Sequence, residues 1–196
     1  MKSLFSSADI PRPQAKEDAP RGRKTSHSGQ ASWMIGGGIR ELKAAFTDLE
    51  PDHIYHFATM RGQWSTHELI GHLLTLTGPA DVYITTWTIT EAPARALVDL
   101  HQAGFIKSLS AVFDYRIKDG KPEPFQLVSG ICSEMKLIKC HAKTCAIINE
   151  EWGVSLSGSA NLSRNPRIER GCIDTHRATA EFDRDWILEE IHREDD

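Results

Sequence analysis

Apolar and polar positions change period several times between Trp33 and the C-terminus, and each change marks an element. Ile39, Leu42, Ala45, Phe46 and Leu49 share one face of a helical run that follows Gly36, Gly37 and Gly38 and stops at Pro51. His53 to Met60 reads as a strand. Thr66 to Leu76 has helical spacing, with Thr66 as the expected N-cap and Gly78-Pro79 as the stop. Val82 to Thr88 is rich in β-branched and aromatic residues and reads as a strand. Glu91 to Ala103 is an amphipathic helix closed by Gly104, and Phe105 to Phe113 is a further strand. Lys118 to Lys121 reads as a turn and Pro122 to Gly130 as a short helix. The grammar then changes. Met135 to Ile148 reads as one long strand, joined through Asn149, Glu150 and Glu151 to a second at Trp152 to Ser157. Ile168 to Thr175 is another expected strand, and Ala178 to His192 is a closing helix with Phe182, Trp186, Ile187 and Ile191 facing inward. Alternating strands and helices followed by a hairpin predict an α/β fold, a mixed β-sheet flanked by helices on both faces.

The first 32 residues break this pattern. Pro11, Pro13 and Pro20 stand among serines and charges, with too little apolar surface to offset ordering, so residues 1–32 are expected to be a flexible polar arm and 33–196 the folded domain. The formal net charge of −4 and pI near 6.1 argue against a broadly basic polyanion binder and leave room for local basic clusters. Three such clusters stand out: Arg21, Arg23 and Lys24; Lys136, Lys139 and Lys143; Arg164, Arg167 and Arg170. No apolar leader segment opens the chain and no stretch reaches membrane-span length, so the expectation is a cytoplasmic protein with no membrane partner. Cys132, Cys140, Cys145 and Cys172 contain no Cys-x-x-Cys pair and are expected to be reduced thiols, with no metal and no other cofactor. A zinc site around Cys140, His141 and Cys145 is disfavoured because Cys140 and His141, as neighbours on a strand, would face opposite sides.

The chemistry-bearing residues cluster in the second half. On a strand, His141 and Lys143 would project from the same face, two residues apart. Ser159 and Asn161 have the same spacing at the end of the following strand. A hairpin would bring imidazole and ammonium beside a hydroxyl and an amide. That set suits a phosphodiester, whose transition state gathers charge on its non-bridging oxygens. Taken singly, each has a plain structural reading: a histidine at a strand end, a surface lysine, two turn residues, and a Glu169 paired with Arg167 or Arg170. His53, His56, His67 and His72 read as unremarkable.

Taken together, His141-Ala142-Lys143 and Gly158-Ser159-Ala160-Asn161 resemble the paired motifs of the phospholipase D superfamily, and the order of elements from Trp33 onward is similar to one domain of that family. The position of the family's motif aspartate holds Ile148. The resemblance implies a phosphodiesterase in which His141 attacks phosphorus, Lys143, Ser159 and Asn161 hold the oxygens, and Glu169 binds the other ring nitrogen of the nucleophile. It implies a second histidine as acid. The chain has one His-x-Lys segment among nine histidines, so the resemblance implies a homodimer in which two copies of His141 meet, with His176 the first alternative in a monomer. Nucleic acid, DNA before RNA, is the expected partner, with Arg164 and Arg167 at the site mouth. The alternatives are a catalytically inactive nucleic-acid-binding module of the same fold, or a lipid phosphodiesterase.

Overall fold

The computed structural model describes residues 30–35, 43, 46–59, 64–164 and 166–194. The expected arm lies outside the described residues up to position 29, and of the expected helical run that follows Gly38 and reaches Leu49 only residues 43 and 46–49 are described. Eight strands form one mixed sheet: β1 Gln30–Ile35, β2 His53–Thr59, β3 Ala80–Thr86, β4 Ile106–Asp114, β5 Glu134–Ile138, β6 Thr144–Ile148, β7 Gly153–Gly158 and β8 Glu169–Asp174. Their order is β1-β2-β8-β7-β6-β3-β4-β5. The described helices are α1 Thr66–Thr77, α2 Glu91–Gln102, α3 Ile117–Gly120, α4 Pro122–Ser129 and α5 Arg177–His192. β3, β4 and β5 run parallel, whereas β6, β7 and β8 run antiparallel to their neighbours.

The period-2 alternation of strands decides what each face meets. On β4, Val112 packs with Ile187 of α5, while Ala111 and Phe113 enter the main core with α1 and α2. On β6, Ala146 and Ile148 pack with Ala180 of α5, while Cys145 and Ile147 turn to the main core. Helices therefore cover both faces, the architecture that the alternation of elements predicts. On α5, Ile187 is fully buried and Trp186 and Ile191 pack beside it.

Three local differences have physical causes. Ser65, not Thr66, caps α1: its N–H donates to the Glu68 carboxylate at 2.7 Å and its carbonyl accepts from Leu69 N–H at 3.1 Å. The turn at Lys118 closes into the single helical turn of α3. The long strand expected from Met135 to Ile148 is two strands, β5 and β6, which lie on opposite sides of β3 and β4. Residues 139–143 cross the ends of β4 and β3 between them. The apolar alternation runs through this break, so periodicity alone could not show it. The ends of β2, β3, β4, β5 and β7 and the starts of β6 and β8 all fall on one edge of the sheet. The carboxyl ends of parallel strands are where α/β sheets present ligand sites.

Candidate active site

The crossover is anchored by β4. Asp114, its last residue, is 2% exposed and accepts the N–H of Cys140 at 3.2 Å. The same carboxylate takes Arg116 Nε at 2.7 Å and Nη2 at 3.2 Å. The Arg116 guanidinium holds the Asp114 carboxyl below the usual range, against the opposing effect of burial. At the other end of the crossover, Thr144 N–H donates to Thr85 Oγ1 at 3.1 Å. His141 and Lys143 are thus on a loop and not on a strand, which corrects the same-face argument. They meet because Lys143 folds back: its Nζ donates to the His141 carbonyl at 2.6 Å and lies 3.4 Å from His141 Nδ1. His141 is exposed. Burial draws the Lys143 ammonium below its ordinary pKa, opposed by Cys140 and Glu169.

Glycine sets the other half. Gly158 closes β7 with its N–H on the Lys143 carbonyl at 3.2 Å. A Cβ there would stand 2.7 Å from the Arg170 carbonyl, and one on Gly171 would stand 2.5 Å from the Phe57 ring. Only glycine permits this approach of β7 to β8. The approach seats Ser159 on β8: Ser159 N–H donates to the Arg170 carbonyl at 2.9 Å, and Arg170 N–H donates to Ser159 Oγ at 3.0 Å. Ser159 Oγ in turn donates to the Glu169 carboxylate. Asn161 is held through its carbonyl by Thr66 Oγ1 at 3.3 Å, and its Oδ1 lies 3.5 Å from Thr86 Oγ1. Lys143, Gly158, Glu169 and Arg170 share one cavity, to which Ser65 and Thr66 bring the N-terminus of α1.

All five expected catalytic residues, His141, Lys143, Ser159, Asn161 and Glu169, therefore stand at one edge of the sheet, on loops or at a strand start. The Glu169 carboxylate engages Ser159, and Nδ1 of His141 faces Lys143. Arg164 and Arg167 are exposed in the loop that runs from Asn161 to Glu169. Lys136 is not brought to this edge; its ammonium meets the Arg193 carbonyl after α5. Ile148 is 9% exposed and sits at the far end of β6, about 17 Å from Lys143 by strand rise. Its side chain serves the packing against α5, remote from the site.

Several contributors escaped sequence reasoning. Asp114, Trp87 and Arg116 come from the ends of β3 and β4, far from the motifs in sequence. His67, in the first turn of α1, is buried with Nδ1 2.7 Å from Ser65 Oγ. Burial holds it below the usual imidazole pKa; Glu68 opposes this and Arg164 adds to it. Among the described residues no group of three His, Cys, Asp or Glu side chains is arranged to hold a metal ion. Burial pushes the Cys132 thiol up to about 12 and raises Cys145 and Cys140 as well, so these are not ready thiolates. No helix among the described residues is long and apolar enough to cross a membrane.

No family model matches the chain, and no curated protein matches it by sequence. Solved structures do match it. The phospholipase D family member Nuc from Salmonella typhimurium superposes with a TM-score of 0.55 at 14% identity, covering 69% of this chain and 91% of Nuc. This chain has a phospholipase D-like fold. Polyphosphate kinase from Porphyromonas gingivalis matches with a TM-score of 0.50 at 16% identity, over 72% of this chain and 26% of the kinase. At these identities the likeness speaks for the fold, and the residues above must speak for themselves.

Proposed function

We propose that the phospholipase D-like domain is a metal-independent phosphodiesterase acting on nucleic acid, DNA before RNA, through a phosphohistidine at His141 in a site shared by two copies of the chain. One observation carries the reading: Lys143 touches His141 at the sheet edge where Gly158 seats Ser159 against β8. An exposed imidazole in contact with an ammonium, with a hydroxyl and an amide along the same sheet edge, suits the charge that develops on a phosphodiester. A nitrogen of His141 attacks phosphorus, the N–P bond forms and the leaving P–O bond breaks. The leaving oxygen takes a proton from His141 of the second copy. Water then displaces the imidazole and returns a proton to that same histidine. Lys143, Ser159 and Asn161 hold the non-bridging oxygens, and Glu169 orients Ser159.

A second copy of His141 is proposed as the acid in preference to His67 or His176. His67 is buried and biased to its neutral form, which makes it a poor proton donor. His176 follows the opposite end of β8, whose six residues already span about 17 Å from Glu169 by strand rise, which speaks against it as the acid. An isologous contact around a two-fold axis supplies the missing group.

The test is hydrolysis of bis(4-nitrophenyl) phosphate in excess EDTA. Wild type is expected to turn over and His141→Ala to be inactive. Wild type exchanged with excess His141→Ala is expected to fall below simple dilution, because mixed dimers lack one role. Activity that vanishes in EDTA and returns with Mg²⁺ overturns the mechanism. Binding of oligonucleotide without any turnover favours an inactive binding module.

A further inference from the structure

A shelf of flat side chains continues from His141 along the ends of β3 and β4. The Trp87 ring lies 5.8 Å from the His141 ring, centroid to centroid. The Arg116 guanidinium carbon lies 5.1 Å from the Trp87 centroid and 5.7 Å from the Tyr115 centroid. Tyr115 is 47% exposed, and with Ile168 it is one of two large apolar residues so exposed among the described residues. Arg116 is committed through Nε and Nη2 to the buried Asp114 carboxylate. Its fork is thus occupied and its charge answered locally, which suits it poorly to grip a phosphate. Its guanidinium stands within reach of both rings while the side chain stays 56% exposed. The carboxylate that binds this guanidinium also holds Cys140 N–H, one residue before His141.

We infer that Trp87, Arg116 and Tyr115 form a stacking shelf for an unpaired base, so that the strand whose phosphate reaches His141 is single-stranded. The inference rests on the phosphodiesterase reading and names its substrate class. Aromatic rings and guanidinium planes stack bases of any sequence. In a duplex both faces of every internal base are already stacked, so a shelf at the reacting phosphate can engage only a strand whose base is free. The acidic net charge of −4 fits this, since contacts other than phosphate attraction must then supply affinity.

The experiment measures binding without cleavage, by anisotropy at fixed salt, using His141→Asn protein and labelled 12-nucleotide probes. The probes are a single strand, the same strand with abasic sites, which keeps its charge, and a duplex. The single strand is expected to bind about tenfold more tightly than either other probe. Tyr115→Ala should lower single-strand affinity toward the abasic level, and Tyr115→Phe should restore it. Equal binding of normal and abasic strands, tighter binding of duplex, no binding of any probe, or an unchanged preference in Tyr115→Ala overturns the inference. Wild-type hydrolysis of bis(4-nitrophenyl) phosphate is read in parallel. Its loss alone sinks the phosphodiesterase reading, whereas its persistence with base-independent binding sinks only the shelf.

Discussion

At one end of the sheet His141, Lys143, Ser159 and Glu169 stand on loops and strand starts. At the other end Asp174, His176, Ser155 and Asp183 form a second polar cluster of much the same residue types. By residue type alone the second cluster looks the more catalytic. His176 Nδ1 lies 2.6 Å from Asp174 Oδ1, and the same carboxylate takes His176 N–H at 2.9 Å and Thr179 Oγ1 at 3.0 Å. Ser155 Oγ donates to the Asp183 carboxylate, which also takes Trp186 Nε1–H at 3.0 Å. Yet His176 is 7% exposed and caps α5, so its hydrogen bonds turn the chain from β8 into the helix. His141 is exposed and held by one lysine. Access distinguishes the two ends: a buried polar group with partners organises the fold, whereas an exposed group with few partners has capacity left for a ligand.

The largest effect should come from swapping the ends. His141→Ala is expected to lower phosphodiester hydrolysis by on the order of 10³-fold or more while leaving thermal stability unchanged. His176→Ala is expected to do the reverse, costing about 1–3 kcal/mol of stability with turnover per folded molecule retained. Urea melts and activity assays on both proteins check this, and a dead His176→Ala enzyme with normal stability would erase the contrast.

Lys143→Ala should cost about 10²–10³-fold in kcat through lost transition-state stabilisation. Because burial lowers the Lys143 pKa, the alkaline limb of the wild-type pH profile should fall below the ordinary lysine value of about 10.4. Lys143→Arg should move that limb upward, and a limb that stays in place would assign it to another group.

A smaller effect is expected at the mouth. Replacing Arg164 and Arg167 together by Ala should weaken oligonucleotide binding and reduce the slope of log K against log salt by roughly one to two. An unchanged slope removes both from the binding surface.

The smallest belongs to the buried end. Burial raises the Asp183 carboxyl above its ordinary value, with the Ser155 and Trp186 hydrogen bonds opposing and Asp174 adding to the rise. A carboxyl whose folded pKa exceeds its unfolded one binds its proton more tightly when folded. Its contribution is therefore present at low pH and lost as pH rises from about 4 through the raised pKa. Stability measured across that range should fall in wild type, and Asp183→Asn should remove this component. An identical slope in the two proteins would place the protonation change elsewhere.

What could be read from the sequence follows the same division. Elements whose period matches their packing were legible: β4, α2, α5 and the β6–β7 hairpin with its Asn149 turn, where Asn149 Oδ1 takes the Trp152 N–H at 2.7 Å. The spacing also drew attention to His141 with Lys143 and to Ser159 with Asn161, which the fold gathers at one sheet edge. The break at 139–143 was not legible, because Ile138, Cys140 and Ala142 keep alternating with Lys139, His141 and Lys143 while the chain leaves the sheet. Nor were Asp114 and Trp87, which reach the site only because parallel β3 and β4 end together. The partner of Glu169 also depended on tertiary placement: the close approach at Gly158 and Gly171 delivers Ser159 to it before His141.

In the proposed mechanism His141 becomes covalently bonded to phosphorus. The direct measurement is mass spectrometry of protein quenched at alkaline pH during turnover of a phosphodiester in EDTA, conditions under which a phosphoramidate survives. An acid-labile phosphoryl adduct is expected on the peptide carrying His141, present in wild type and missing from His141→Ala. An adduct on any other residue, or full steady-state turnover by His141→Ala, would contradict this mechanism.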